Sequence, residues 1–142
     1  MSKRPLIQVA AVAVGAVFLL VGIASFVPGL TSDYHQMSAA GRLSHAKLLG
    51  FFEVSALHNA VHLLFGVVGV MLVRTPVSAR CYLVGGGAIY LILWVYGLLI
   101  DQGSAANFVP VNTADNWLHL LLGVGMLAVG MLLGRRVAIS AP

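Results

Sequence analysis

Two histidine-bearing phrases hold most of the chemistry available to this sequence. HNAVHLLFG (His58–Gly66) and DNWLHLLLG (Asp115–Gly123) each open an apolar run, and both contain Asn-x-x-His-Leu-Leu-x-Gly. Imidazole ligates metals and haem and carries protons, while an amide both donates and accepts hydrogen bonds. Residues at i, i+3 and i+7 share one face of a helix. Asn59, His62 and Gly66 therefore form one stripe, continued by Gly69, and Asn116, His119 and Gly123 form another, continued by Gly130. In lipid surroundings such polar groups turn towards protein. Glycines on the same stripe admit a neighbouring helix or a flat ligand.

Four uses of that face stay open from the residues alone. The polar pairs can hydrogen-bond across a bundle and keep its halves in register, each bond contributing below about 1 kcal/mol. Asn59 also suits a helix cap. Alternatively, His62 and His119 ligate a b-type haem, with Asn59, Asn116, Gly66 and Gly123 completing the cofactor-binding face. A divalent metal site, zinc or copper, would draw on His58, His62, His119 and Asp115, with Glu53 as a further donor, because His at i and i+4 is a metal spacing. A quinone or lipid headgroup would need a pocket with a polar mouth, for which Tyr90, Trp94, Tyr96 and Trp117 are candidate linings, although interfacial aromatics commonly anchor helices. The sequence contains no Ser-His-Asp set, paired acid and base or phosphate loop, so no catalytic residue is assigned.

The elements that carry these groups follow from composition. Of 142 residues, 60% are hydrophobic and 8% charged, with a mean hydropathy of +0.98. A soluble domain carries roughly a quarter charged residues, so most of this chain is solvated by lipid. Uncharged stretches run Pro5–Ser32, Val54–Val73, Cys81–Ile100 and Asn116–Gly134. Each is near the length of about 20 residues that a helix needs to cross the hydrocarbon. Continuous apolarity without alternation argues against barrel strands. The expected fold is an all-α integral membrane protein with four transmembrane helices in a single domain, 1–142. The first stretch exceeds the apolar core of a signal peptide and is expected to be retained as a helix. Cys81, the one cysteine, is expected to be an inert packing residue.

Charge gives these helices a direction. Lys3, Arg4, Arg74, Arg80, Arg135 and Arg136 fall on one side of an up-down arrangement, and only Arg42 and Lys47 on the other. The positive-inside rule then places both termini in the cytoplasm, with every acid and every histidine outside. The net charge of +4 is accordingly a topology signal and not a nucleic-acid signature.

The two phrases align at an offset of 57, and Phe51/Phe108 and Val54/Val111 match with them. GAVFLLVG (Gly15–Gly22) loosely matches GAIYLILW (Gly87–Trp94). This pattern predicts two helical hairpins, about 5–74 and about 81–135, that enter the membrane in the same direction. The first has the longer outer link, 33–57, whose segment GRLSHAKLLGFF is expected along the interface. Helices two and four are then diagonal and parallel, with His62 facing His119 roughly one turn inside the boundary. His58 has no counterpart and is expected at the rim.

On LLGFFEVSALHNAVHLLFG and NFVPVNTADNWLHLLLG, the chain resembles the bacterial family of small four-helix membrane proteins catalogued as domain of unknown function 4383. The resemblance extends over essentially the whole chain. It implies a multi-pass protein of the bacterial plasma membrane and brings no activity, cofactor or catalytic residue with it. The expected function is a binding or accessory module of a larger membrane complex, or a homo-oligomer, embedded in the lipid bilayer. It is organised around an Asn/His pocket in the outer leaflet between helices two and four. The alternative is a haem- or metal-binding redox protein built on His62 and His119.

Overall fold

The computed structural model describes residues 4–139, and all their side chains except those of Leu72 and residues 135–139. Lys3 and the side chains of Arg135 and Arg136, which enter the charge argument above, lie outside the described residues. Helix α1 spans Leu6–Ala24, opened by Pro5 and ended at Ser25, whose hydroxyl donates back to the Val21 carbonyl at 2.8 Å. Helix α2 spans Ala56–Val67 and passes into a π-helical segment, Val68–Leu72. Helix α3 runs Pro76–Leu99, started by a reciprocal cap between Thr75 and Ser78 with Pro76 at its first position. Helix α4 runs Thr113–Ile139.

The expected fold holds in outline, with two differences. The chain is mostly helical, and the first link, expected without strands, holds a small antiparallel sheet. Strands β1 (Thr31–Ser32), β2 (Lys47–Leu48) and β3 (Phe52–Glu53) pair in that order. A turn at Leu49 and Gly50, both at positive φ, reverses the chain between β2 and β3. The second difference concerns length. α1, α3 and α4 are long and apolar enough to cross a membrane, whereas the second helix is the shorter apolar stretch Ala56–Met71. At 1.5 Å per residue it reaches roughly 25 Å, short of the roughly 30 Å of hydrocarbon. This is a multi-pass membrane protein by the length and composition of its helices.

The buried residues explain why its helices show little amphipathic character. In α1 they are Ile7, Gln8, Ala11, Gly15, Phe18 and Gly22, and in α2 His58, Asn59, His62 and Gly66. All but Ile7 are small, aromatic or polar, while the outward side chains include Leu20, Ile92 and Leu121, each about two-thirds exposed. Lipid is as apolar as leucine, so helix association rests on close packing, and small residues are placed where backbones approach. α1 pairs with α2, α3 pairs with α4, and the hairpins meet chiefly between α1 and α3.

Those approaches are tight. A Cβ on Gly66 would lie 2.6 Å from both the Leu19 backbone nitrogen and its Cγ, and one on Gly123 would lie 2.7 Å from Leu91 Cδ2. One on Gly15 would lie 2.8 Å from the Gly69 backbone, and one on Gly87 2.8 Å from Leu127. On the axis between the hairpins, Phe18 and Tyr90 stack with ring centroids 5.4 Å apart and planes 14° from parallel.

The links form one cap over the end of the bundle away from the termini. The Gly41 amide donates to the Phe108 carbonyl at 2.7 Å, and the Asn112 side-chain amide donates to the Phe51 carbonyl at 2.8 Å. The first backbone amides of α2, on Ala56 and Leu57, donate to the carbonyls of Ser38 and Ala39. Groups that a helix start leaves without intrahelical partners are thus met by the link and do not face lipid.

Candidate functional site

The cap decides how the two phrases are used. Ser55 is the N-cap of α2, its hydroxyl accepting from the His58 amide at 3.2 Å. Asn112 holds the equivalent place before α4, its Oδ1 accepting from the Asp115 amide at 3.0 Å while Asp115 Oδ2 accepts from the Asn112 amide at 3.0 Å. His58 and Asp115 therefore occupy the same position, three residues beyond their caps. The caps are Ser55 and Asn112, and Asn59 sits a turn further in. Asp115 Oδ2 also accepts from the Glu53 amide at 3.0 Å, clipping β3 onto the start of α4.

Beneath the cap lies a pocket of 220 Å³. Its walls are Val21 and Ser25 of α1, Leu48, Leu49, Phe52 and Val54 of the sheet region, His58 and His62 of α2, and Asp115, Leu118, His119 and Leu122 of α4. The structure brings His58, His62, His119 and Asp115 together around one space, and all four are buried. His58 is not at the rim: its ring stacks on that of His62 at 4.5 Å. His62 Nδ1 lies 2.9 Å from the His58 carbonyl. That bond requires the proton on Nδ1 and turns the Nε2 lone pair outward, the orientation common among histidines that ligate metals. His58 Nδ1 and His119 Nδ1 are buried with no hydrogen-bond partner among the described residues.

His62 and His119 are joined by a ladder of rings. His62 lies against Phe18 at 5.6 Å, and His119 lies against Tyr90 at 5.3 Å. The Phe18–Tyr90 stack bridges the two. Sequence reading passed over Phe18, and over Tyr90 as a central residue. Its signal was present, since each is the fourth residue of GAVFLLVG and GAIYLILW.

The asparagines and glycines of the stripes are elsewhere. Asn59 Nδ2 donates to the Ser25 carbonyl at 3.4 Å and contacts Met37 Sδ at 3.6 Å. Asn116 packs its amide onto Gly97 of α3, where a Cβ would strike it. Gly66 and Gly123 face Leu19 and Leu91. All four meet the other helix of their own hairpin and do not line the pocket. The four aromatics also divide: Trp94 and Trp117 line a separate rim space with Asn116, Tyr90 is central, and Tyr96 donates its hydroxyl to the Ala106 carbonyl. Glu53 enters through its backbone only. Among the described residues, no group of three or more His, Cys, Asp or Glu is placed to hold a metal ion.

The pocket is mostly apolar. Such a space suits a small body of low polarity with one or two hydrogen-bonding groups for the imidazoles. Its volume is below the range of roughly 300–1,000 Å³ that houses drug-sized molecules. In comparison with known proteins, a family profile described as Domain of unknown function (DUF4383) matches residues 8–132. No curated protein and no solved structure matches the chain.

Proposed function

The chain belongs to the DUF4383 family, and from that premise we propose that it is a small-molecule binding module of the bacterial plasma membrane that serves a larger membrane complex. The observation that carries this reading is the capped pocket with two buried, unpartnered imidazole nitrogens on an otherwise apolar wall. A buried polar atom without a partner costs roughly 1–3 kcal/mol. A ligand with a hydroxyl or carbonyl group would recover that cost, which gives the pocket a reason to prefer an occupant. The asparagine and glycine positions supply the rigid hairpins that hold the histidines.

The same reading includes the topology. All four helices cross, the second by thinning the bilayer locally, with both termini cytoplasmic and the cap outside. The chain is two tandem copies of one hairpin. Matched contacts support this: Phe18–His62 with Tyr90–His119, Gly66–Leu19 with Gly123–Leu91, and Asn59–Ser25 with Asn116–Gly97. A second reading, ligation of haem or of a divalent metal, draws on the orientation of His62. A haem would need the pocket to widen, because a macrocycle exceeds the present space.

The test is native mass spectrometry of the protein released from nanodiscs, for the wild type and for His119→Phe. The expected result is a small co-purified organic mass on the wild type that is lost in the variant, with the fold retained by circular dichroism. A wild type that carries only bulk phospholipid overturns the binding-module reading. A Soret band, or stoichiometric metal lost in His62→Ala, would establish the second reading in its place.

A further inference from the structure

The opposite end of the bundle, where the termini lie, has a cavity of its own. It measures 440 Å³ and is lined by Arg4, Gln8, Val70, Met71, Val73 and Arg74. The two arginines come from distant parts of the chain, one before α1 and one just after the π-helical segment, and the helix pairing brings them to one space. Gln8 beside them is a buried polar side chain, 7% exposed. Arg74 Nε donates to the Met71 carbonyl at 3.2 Å, which orients the guanidinium and leaves its two terminal amino groups for another acceptor. No side chain caps the start of α1, so the positive end of its dipole adds to the same field.

Among the described residues, no side-chain carboxylate stands beside these charges. The four side-chain carboxylates are Asp33, Glu53, Asp101 and Asp115, and all lie in the links or at the link end of α4. Both arginines are exposed, so their guanidiniums are open to an anion from outside. Guanidinium matches the paired oxygens of phosphate in geometry as well as in charge. The remaining walls, Val70, Met71 and Val73, are apolar, and Met71 is 59% exposed on the lipid side. The ligand therefore combines a phosphate group with an apolar chain.

We propose that Arg4, Gln8 and Arg74 form a binding site for the phosphate of an anionic phospholipid in the leaflet facing the termini. The site is separate from the histidine pocket and does not depend on its function. Binding is measured by native mass spectrometry of the protein released from nanodiscs of phosphatidylcholine titrated with phosphatidylglycerol. R4Q and R74Q are each expected to weaken phosphatidylglycerol retention about fivefold, since a basic residue at the membrane surface contributes on the order of 1 kcal/mol. R80Q removes a cation at the same end that does not line the cavity, and is expected to change retention little. R74K keeps the charge without the paired donors and is expected to bind more tightly than R74Q and less tightly than the wild type; it answers for the site if R74Q loses helical circular dichroism. Equal retention of phosphatidylcholine and phosphatidylglycerol, or an R80Q effect as large as that of R74Q, overturns the proposal. Displacement of the lipid by inorganic phosphate overturns the lipid assignment, because the ligand would then be a soluble anion.

Discussion

Substituting Gly66 by alanine tests the packing logic of the whole bundle. The added Cβ would lie 2.6 Å from Leu19 N and Cγ and 2.9 Å from the Gly15 carbonyl. Ordinary contact begins at 3.4 Å, so α1 and α2 must separate by roughly 0.8 Å along the shared face. A gap of that size forfeits about a quarter to a half of each dispersion contact across it. Two of the three obstructing atoms are backbone, so a rotamer change cannot relieve them. Overpacking of this sort costs about 1–3 kcal/mol, offset by about 1 kcal/mol of helix propensity. The expected net loss is about 0–2 kcal/mol, and about 1–3 kcal/mol relative to a glycine whose alanine gains the same propensity without a clash. Gly125 is the control: nothing lies within 4 Å of its added Cβ, so alanine there is expected to be neutral or stabilising by up to about 1 kcal/mol. Reversible unfolding in mixed micelles with rising denaturing detergent, followed by far-ultraviolet circular dichroism, gives both values. If the two variants agree within about 0.5 kcal/mol, the spread expected of surface changes, the close approach described here is refuted.

Two further outcomes follow from single hydrogen bonds. Asp115→Ala removes the acceptor of both the Glu53 and the Asn112 amides, at a cost of about 2–3 kcal/mol; amide exchange should quicken at both residues, and unchanged protection there would count against the clip. Tyr82→Phe removes the hydroxyl that donates to the Phe65 carbonyl at 3.2 Å, just before the π-helical segment. The expected cost is about 1 kcal/mol, with exchange faster across Val68–Leu72 and unaltered in α4; a uniform change over all helices would mean that the bond does not support that segment.

Much of the outline was legible because lipid imposes blunt rules. Runs without charge marked α1, α3 and α4, and the cost of a polar group in hydrocarbon placed Asn59, His62, Asn116 and His119 inward, where they are all buried. The link was misread because β1, β2 and β3 are two residues each, too short to show alternation. Their pairing depends on the turn at Leu49–Gly50 and on docking against α4, both invisible to periodicity. The second helix looked long enough because residues Val54 and Ser55, which precede it, are uncharged though not helical.

Taken by itself, the sequence determined which residues turn inward and that Asn, His and Gly recur at matched positions, because these depend on composition and on helical spacing alone. Spacing cannot say which neighbour an inward face meets. Tertiary structure decided that, sending Asn59, Asn116, Gly66 and Gly123 against the partner helix of each hairpin. It turned His58, His62, His119 and Asp115 towards one pocket. The reason is geometric: a stripe one to two residues wide spans more than one neighbour once helices pack, and a few tens of degrees of rotation separate a packing residue from a pocket wall. The Phe18–Tyr90 stack and the cap over the pocket join residues 72 and 62 apart in sequence, contacts that only the packed bundle brings about.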